Sequence, residues 1–152
     1  DPPAARALLD QAIYLEDSGT ELMGLKIWGS PVSPRYFDWA FNRKRGPEIA
    51  AHWAKIPTQT DILLVHTPPH GLLDVVWPGR HVGCEALSAE LEQRLHPRLL
   101  VCGHIHEAAG QARLGPIQLI NAASLDRRYR PIQPIWIVDI EDGKIKEVGA
   151  RD

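Results

Sequence analysis

The chain has 152 residues, 44% of them hydrophobic, which is the length of one domain with enough apolar residues for a real core. Seventeen basic against nineteen acidic residues leave a formal charge of -2, which argues against polymeric nucleic acid or an anionic membrane as partner and requires any phosphate recognition to be local. No apolar run reaches the roughly 20 residues of a membrane span, and DPPAARALLD lacks the basic and apolar regions of a signal peptide, so the expectation is a cytoplasmic protein.

Pro2 and Pro3 suit the first turn of a short helix running to about Ala12. Two apolar runs, 13–15 and 22–28, flank Asp17-Ser18-Gly19-Thr20, the pattern of a hairpin turning there. Residues 29–42 are rich in proline and aromatics without a period and read as an ordered loop. Gly46-Pro47 opens a second helix with Ile49, Trp53 and Ile56 on one face. Residues 61–66 form a short apolar strand covered on both sides, ended by Pro68-Pro69. A third helix from about Cys84 to Leu95 carries Leu87, Leu91 and Leu95 at i, i+4, i+8, and a second buried strand, 99–102, follows it. Beyond this the pattern is strands alone, about 107–114, 117–121, 135–140 and 144–148, with turns at Gly115-Pro116 and Glu141-Asp142-Gly143. Cys84 and Cys102 fall in the helix and the strand and read as buried thiols.

Strand, helix, strand, with a histidine after each strand, is the informative arrangement. Two strands joined by a helical crossover run parallel, so His66 and His104 meet at one edge of the sheet, where ligands of open α/β sheets bind. In an extended segment His106 points to the same side as His104, and Gly103 lets the backbone turn sharply. Three imidazoles converging on a pocket suit zinc, manganese or iron. The bland alternative for any single histidine is a solvated side chain at a strand end. His52, His81 and His96 read that way, and His70 lies close enough in sequence to reach the pocket for a substrate or proton-transfer role. Arg43-Lys44-Arg45 either attracts a phosphate or is a solvated loop. Tyr36, Phe37, Trp39 and Phe41 either stack on a base or pack the long loop. Asp74 and Asp126 read as surface carboxylates.

A strand-end histidine followed by Gly-His-x-His resembles the calcineurin-like metallophosphoesterase superfamily. Gly24-Leu25-Lys26-Ile27-Trp28-Gly29-Ser30-Pro31, Trp39-Ala40-Phe41-Asn42, Arg45-Gly46, His66-Thr67-Pro68-Pro69, Gly83-Cys84, Gly103-His104-Ile105-His106-Glu107 and Ile120-Asn121-Ala122 look like the metallophosphoesterase-domain-containing protein family, over nearly the whole chain. The resemblance implies an α/β (α+β) fold, the C-terminal portion of a four-layer α-β-β-α sandwich, in a single domain over 1–152. It implies metal-dependent hydrolysis of small phosphodiesters or nucleotides, cyclic nucleotides among them, with two divalent metals drawn from Mn, Fe, Zn or Mg. By position His66 and His104 would bind one metal and His106 the other, with Asn121 near the site; Arg45, from the basic run 43–45, is the further candidate for substrate contact. The family's Asp-x-His, Gly-Asp and Gly-Asn-His motifs are absent from these 152 residues, so the expectation is a chain truncated at its amino terminus, binding a single metal weakly and prone to self-association. Two alternatives stay open, a metal- or nucleotide-binding fold without turnover and a mononuclear three-histidine hydrolase.

Overall fold

The computed structural model describes residues 2–142 and 144–151. In chain order the elements are α1 (Pro2–Ala7), β1 (Ser18–Leu22), β2 (Leu25–Ser30), β3 (Ser33–Pro34), β4 (Asn42–Arg43), α2 (Pro47–Trp53), β5 (Ile62–Val65), β6 (Val75–Val76), β7 (Arg80–His81), α3 (Glu85–Gln93), β8 (Leu99–Cys102), a 3-10 turn (His106–Ala108), β9 (Gly110–Leu114), β10 (Ile117–Asn121), β11 (Ile135–Glu141) and β12 (Lys144–Arg151).

Six strands form one mixed sheet in the order β1-β2-β5-β8-β10-β9. Its four inner strands are mutually parallel and each outer strand closes an antiparallel hairpin. The carboxyl ends of β2, β5, β8 and β10 therefore share one edge, the relation expected for β5 and β8 from their helical crossover.

Alternation along the strands divides the core in two. Leu63, Val65, Leu100, Cys102, Ile117 and Leu119 face α2 and α3, which bury Ile49, Trp53, Leu87, Leu91 and, beyond α3, Leu95 against them. Ile62, Leu99 and Ile120 face the other way, under Trp136, Val138, Ile140, Ile145 and Val148 of the β11-β12 hairpin. The layers are thus helices, a six-stranded sheet and a two-stranded sheet.

That second cover reaches only the amino-terminal part of its face. Towards the carboxyl edge Leu64 is 39% exposed, on a shallow apolar cavity shared with Leu9, Ile13, Leu15 and Val101. A strand covered on both sides was expected at 61–66; it is covered fully on one and partly on the other.

The first hairpin also turns at a different place. Ser18–Leu22 is strand, and the chain reverses at Met23 (φ 53°) and Gly24 (φ 76°), a two-residue turn with both central residues left-handed. Such a turn matches the right-handed twist of the flanking strands, which outweighs the turn composition of 17–20. The expected Glu141-Asp142-Gly143 turn includes Gly143, which lies outside the described residues. Both cysteines are free and buried; burial pushes the Cys84 thiol up and the Cys102 thiol to about 12, so neither is a ready thiolate. Among the described residues no helix is long and apolar enough to cross a membrane.

Candidate metal and phosphate site

His66 leaves β5 pinned between its neighbours: its N–H donates to Ser30 O at 3.2 Å and its carbonyl accepts from Gly103 N–H at 3.1 Å. The second histidine follows from β8. Ile105 N–H donates back to Gly103 O at 2.7 Å, closing a three-residue γ-turn with His104 at its centre, φ 67°. The left-handed residue is thus His104 and not Gly103. An L-residue there costs on the order of 1–3 kcal/mol and persists only where the surroundings impose it. The turn aims the His104 ring at His66, with ring centroids 4.6 Å apart.

His106 opens the 3-10 turn, so the segment is folded where an extended one was expected. Its Nδ1 pairs with Asp126 O at 3.0 Å. A carbonyl can only accept, so Nδ1 carries a proton and Nε2 is the nitrogen left for a metal, the arrangement of an oriented metal-binding histidine. Tyr129 packs edge-on against this ring and Tyr36 against that of His104.

Asn121, at the end of β10, sits behind these turns. Fully buried, it donates to Ile105 O at 2.8 Å and Leu73 O at 3.1 Å and accepts from Ala123 N–H at 3.1 Å. Its polar atoms are committed to the backbone of the site, which makes it a brace for the histidine turn.

The three histidines lie on a cleft of about 630 Å³ that also takes in Arg35, Arg45, Arg80, Arg127, His81, Glu85 and Glu107. Arg45 is fixed in its wall, donating to Val82 O and Gly83 O at 2.7 Å each and pairing with Glu85. His70 does not line the cleft; its ring lies 5.5 Å from that of His81. Burial and the facing imidazoles hold His104 down to about 4, and burial with His106 lowers His66. Both rings are then neutral at physiological pH, with lone pairs to offer.

The donor chemistry therefore fits a divalent ion: two neutral imidazoles and a third oriented by its Nδ1–H. Among the described residues no group of three or more His, Cys, Asp or Glu side chains is closed tightly enough to hold an ion as it stands.

Several residues stand elsewhere than their sequence context suggested. Asp74 is fully buried, and Asp126 nearly so, because each carboxylate organises a loop. Asp74 accepts from Gly71 N–H, Gly83 N–H and His81. Asp126 accepts from Arg128 N–H, Arg130 N–H and the Arg130 guanidinium. His52 is enclosed between Asp17, 2.5 Å from its Nδ1, and Arg43, which donates to its Nε2 at 2.8 Å. Gly83 must be glycine, since a Cβ would come within 2.5 Å of Pro69 O and 2.8 Å of Asp74 Oδ2. Arg80 and His81, from the short strand β7, and Arg127 and Tyr129, from the segment after β10, enter the cleft by a convergence that leaves no local signal in the sequence.

No protein-family model matches the chain. It is 39% identical to metallophosphoesterase domain-containing protein 1 of Homo sapiens and of Mus musculus over 136 residues, 89% of this chain and 42% of each relative. The chain belongs to the metallophosphoesterase-domain-containing protein family. A UPF0046 protein of Caenorhabditis elegans, T07D4.2, is 40% identical over 133 residues, 85% of this chain and 34% of its own length. The chain thus spans less than half the length of these relatives. A solved crystal structure, 16% identical, superposes with a TM-score of 0.65 over 99% of this chain and 59% of that one, which shows the shared α/β fold. In this family member the histidine-floored cleft brings together donors suited to a metal and cations suited to a phosphate.

Proposed function

We propose that the chain supplies the histidine side of a divalent-metal phosphoesterase site acting on small phosphodiesters, nucleotides among them, in a cytoplasmic setting in keeping with its two free cysteines. The observation that carries this reading is the meeting of neutral His66, His104 and oriented His106 in a cleft with four arginines. A metal held there, Mn, Fe, Zn or Mg, would act as a Lewis acid on a phosphoryl oxygen.

The protein's own residues do the rest. His66, His104 and His106 present nitrogen donors on the floor. Arg35, Arg80 and Arg127 attract the anionic ester and Arg45 shapes the wall around it. Asn121 keeps the histidine turn in register. On this reading two metals would share the site, as the family resemblance implies, and the three histidines would be part of the ligand set.

Hydrolysis of bis(p-nitrophenyl) phosphate with added Mn²⁺ or Zn²⁺ tests the proposal. Turnover that falls by more than about 10²-fold in His104→Ala is expected; turnover indifferent to that change or to chelation would refute it. A binding fold without turnover is favoured by one feature, a set of histidine donors with no carboxylate among them, and ion binding by calorimetry without hydrolysis would assign the chain to it.

A further inference from the structure

At the edge of the six-stranded sheet opposite the histidines, a hollow of about 610 Å³ opens along the seam between that sheet and β12. Four cations line it, Arg98 just before β8, Arg113 on β9, and Lys144 and Lys146 on β12; among the described residues no carboxylate does. Gln111 and Gln118 complete its polar lining. The strand register brings these groups together. Gln118, the second residue of β10, lies opposite Arg113 and donates its N–H to Arg98 O at 3.1 Å. Gln111 lies opposite Ile120 and so shares the face of Gln118, the face on which Ile120 packs under Ile145 and Val148 of β12.

The β9 arginine is braced. Arg113 Nε donates to Gln118 Oε1 at 3.1 Å, and Gln118 Nε2 donates to Gln111 Oε1 at 3.2 Å, so two amides in series fix the guanidinium and leave its terminal nitrogens for another acceptor. Among the described residues no carboxylate pairs with Arg113 or Lys144. Arg98 and Lys146 reach carboxylates outside the lining, Asp61 and Glu141, each at 3.4 Å. Lysines on an outer strand commonly serve to discourage strand pairing. A guanidinium held by two glutamines is not needed for that. Gathering four like charges round one hollow costs electrostatic free energy, and an anion placed there returns it.

We propose that this hollow is a second anion site, which takes a small molecule with a diphosphate group and through it ties the β9-β10 hairpin to β12. Guanidinium forks match phosphate oxygens in pairs, and the lysines add point charges from the other layer. A single phosphate brings about two negative charges, and four cations balance a diphosphate better. The volume lies within the range of small-molecule sites, and the formal charge of -2 on the whole chain disfavours a polymeric anion. No bond is made or broken there, and the site stands whether or not the histidine cleft hydrolyses an ester.

Pyrophosphate titrated into the ¹⁵N-labelled full chain, with a chelator present, tests the site. Backbone amides of β9 and β12 should shift together and saturate, and inorganic phosphate should need at least about 10-fold higher concentration for the same response. Arg113→Gln combined with Lys144→Gln, both at exposed positions, should weaken the response by more than about 10-fold. Any shifts at Arg127 and Tyr129, in the histidine cleft, should stay as in the parent. ADP that binds no better than pyrophosphate would identify the inorganic ion as ligand; tighter binding, with added shifts at Ile145 and Val148, would identify a nucleoside diphosphate, and either sustains the site. Shifts confined to the histidine cleft, a double variant that responds like the parent, or equally tight binding of citrate would overturn it. So would tighter binding of a single-stranded oligonucleotide, which would make the hollow part of a polymer-binding surface.

Discussion

His106 Nδ1 donates to the main-chain oxygen of Asp126 at 3.0 Å, across twenty positions of sequence, so the orientation of one site histidine is set by a loop from the far side of β9 and β10. That loop is held by the Asp126 carboxylate, which the backbone and guanidinium of Arg130 keep down at about 2. Asp126→Ala should release the loop, free the His106 ring and weaken divalent-ion binding about 10–100-fold in titration calorimetry. The pH sign follows from the lowered value: the carboxylate's contribution is complete above the unfolded value of roughly 4 and fades as pH falls towards about 2. Hydrogen exchange over 126–130 should accelerate in that window in the parent and be fast throughout in the variant.

The γ-turn at His104 predicts a separation of stability from function. His104→Gly removes an L-residue from φ 67° and should be no less stable than the parent in urea melts, whereas His104→Val should lose roughly 1–3 kcal/mol. Both should lose ion binding. A glycine variant much less stable than the parent would show that contacts of the imidazole ring outweigh the strain of the turn.

Arg94 joins the two helices on the covered face. Its guanidinium donates to Ile56 O at 2.6 Å and Trp53 O at 2.9 Å, carbonyls at the end of α2, while Nε pairs with Glu90 at 2.6 Å. Arg94→Ala should cost about 1–3 kcal/mol in a chemical melt. Arg94→Lys should recover less than half of that, because one ammonium cannot reproduce a planar fork with three acceptors.

Asp74 gives the protein an acid limb. Its lowered pKa means that its stabilisation is present above the unfolded carboxylate value and is lost as pH falls below it. Asp74→Asn should reduce stability by about 1.5–3 kcal/mol at neutral pH, and the difference between variant and parent should shrink in melts near pH 3.

The open end of the second sheet face, around Leu64, predicts self-association. Sedimentation velocity should show a concentration-dependent increase in mass, and Leu64→Gln, which leaves the helix-facing side chains untouched, should reduce it. A monodisperse monomer over the full concentration range would show that residues 9–15 cover the face sufficiently.

The elements with strong periodicity were legible from sequence. Leu87, Leu91 and Leu95 are all buried, Ile49, Trp53 and Ile56 likewise, and β5 and β8 are parallel neighbours as a helical crossover requires. His66 and His104 meet for the same topological reason. What the sequence concealed depended on distant partners. Asp74 and Asp126 look like loop carboxylates until the amides they collect are known, and His81 looks solvated until Asp74 is found behind it. The Met23-Gly24 reversal was hidden because Met is an uncommon residue for a left-handed position. The helical 3-10 start at His106 broke the assumption of an extended Gly-His-x-His, although its outcome, His106 on the same cleft as His104, was the one anticipated.

The arginines of the cleft belong to a molecule whose formal charge is -2. A phosphate anion at long range meets a faint repulsion, and only within about 8 Å, the screening distance of physiological salt, does it register the guanidinium groups. On the proposed function, capture of an anionic ester would be a near-field event with little long-range steering, its rate responding weakly to ionic strength and the lifetime of the captured ester strongly.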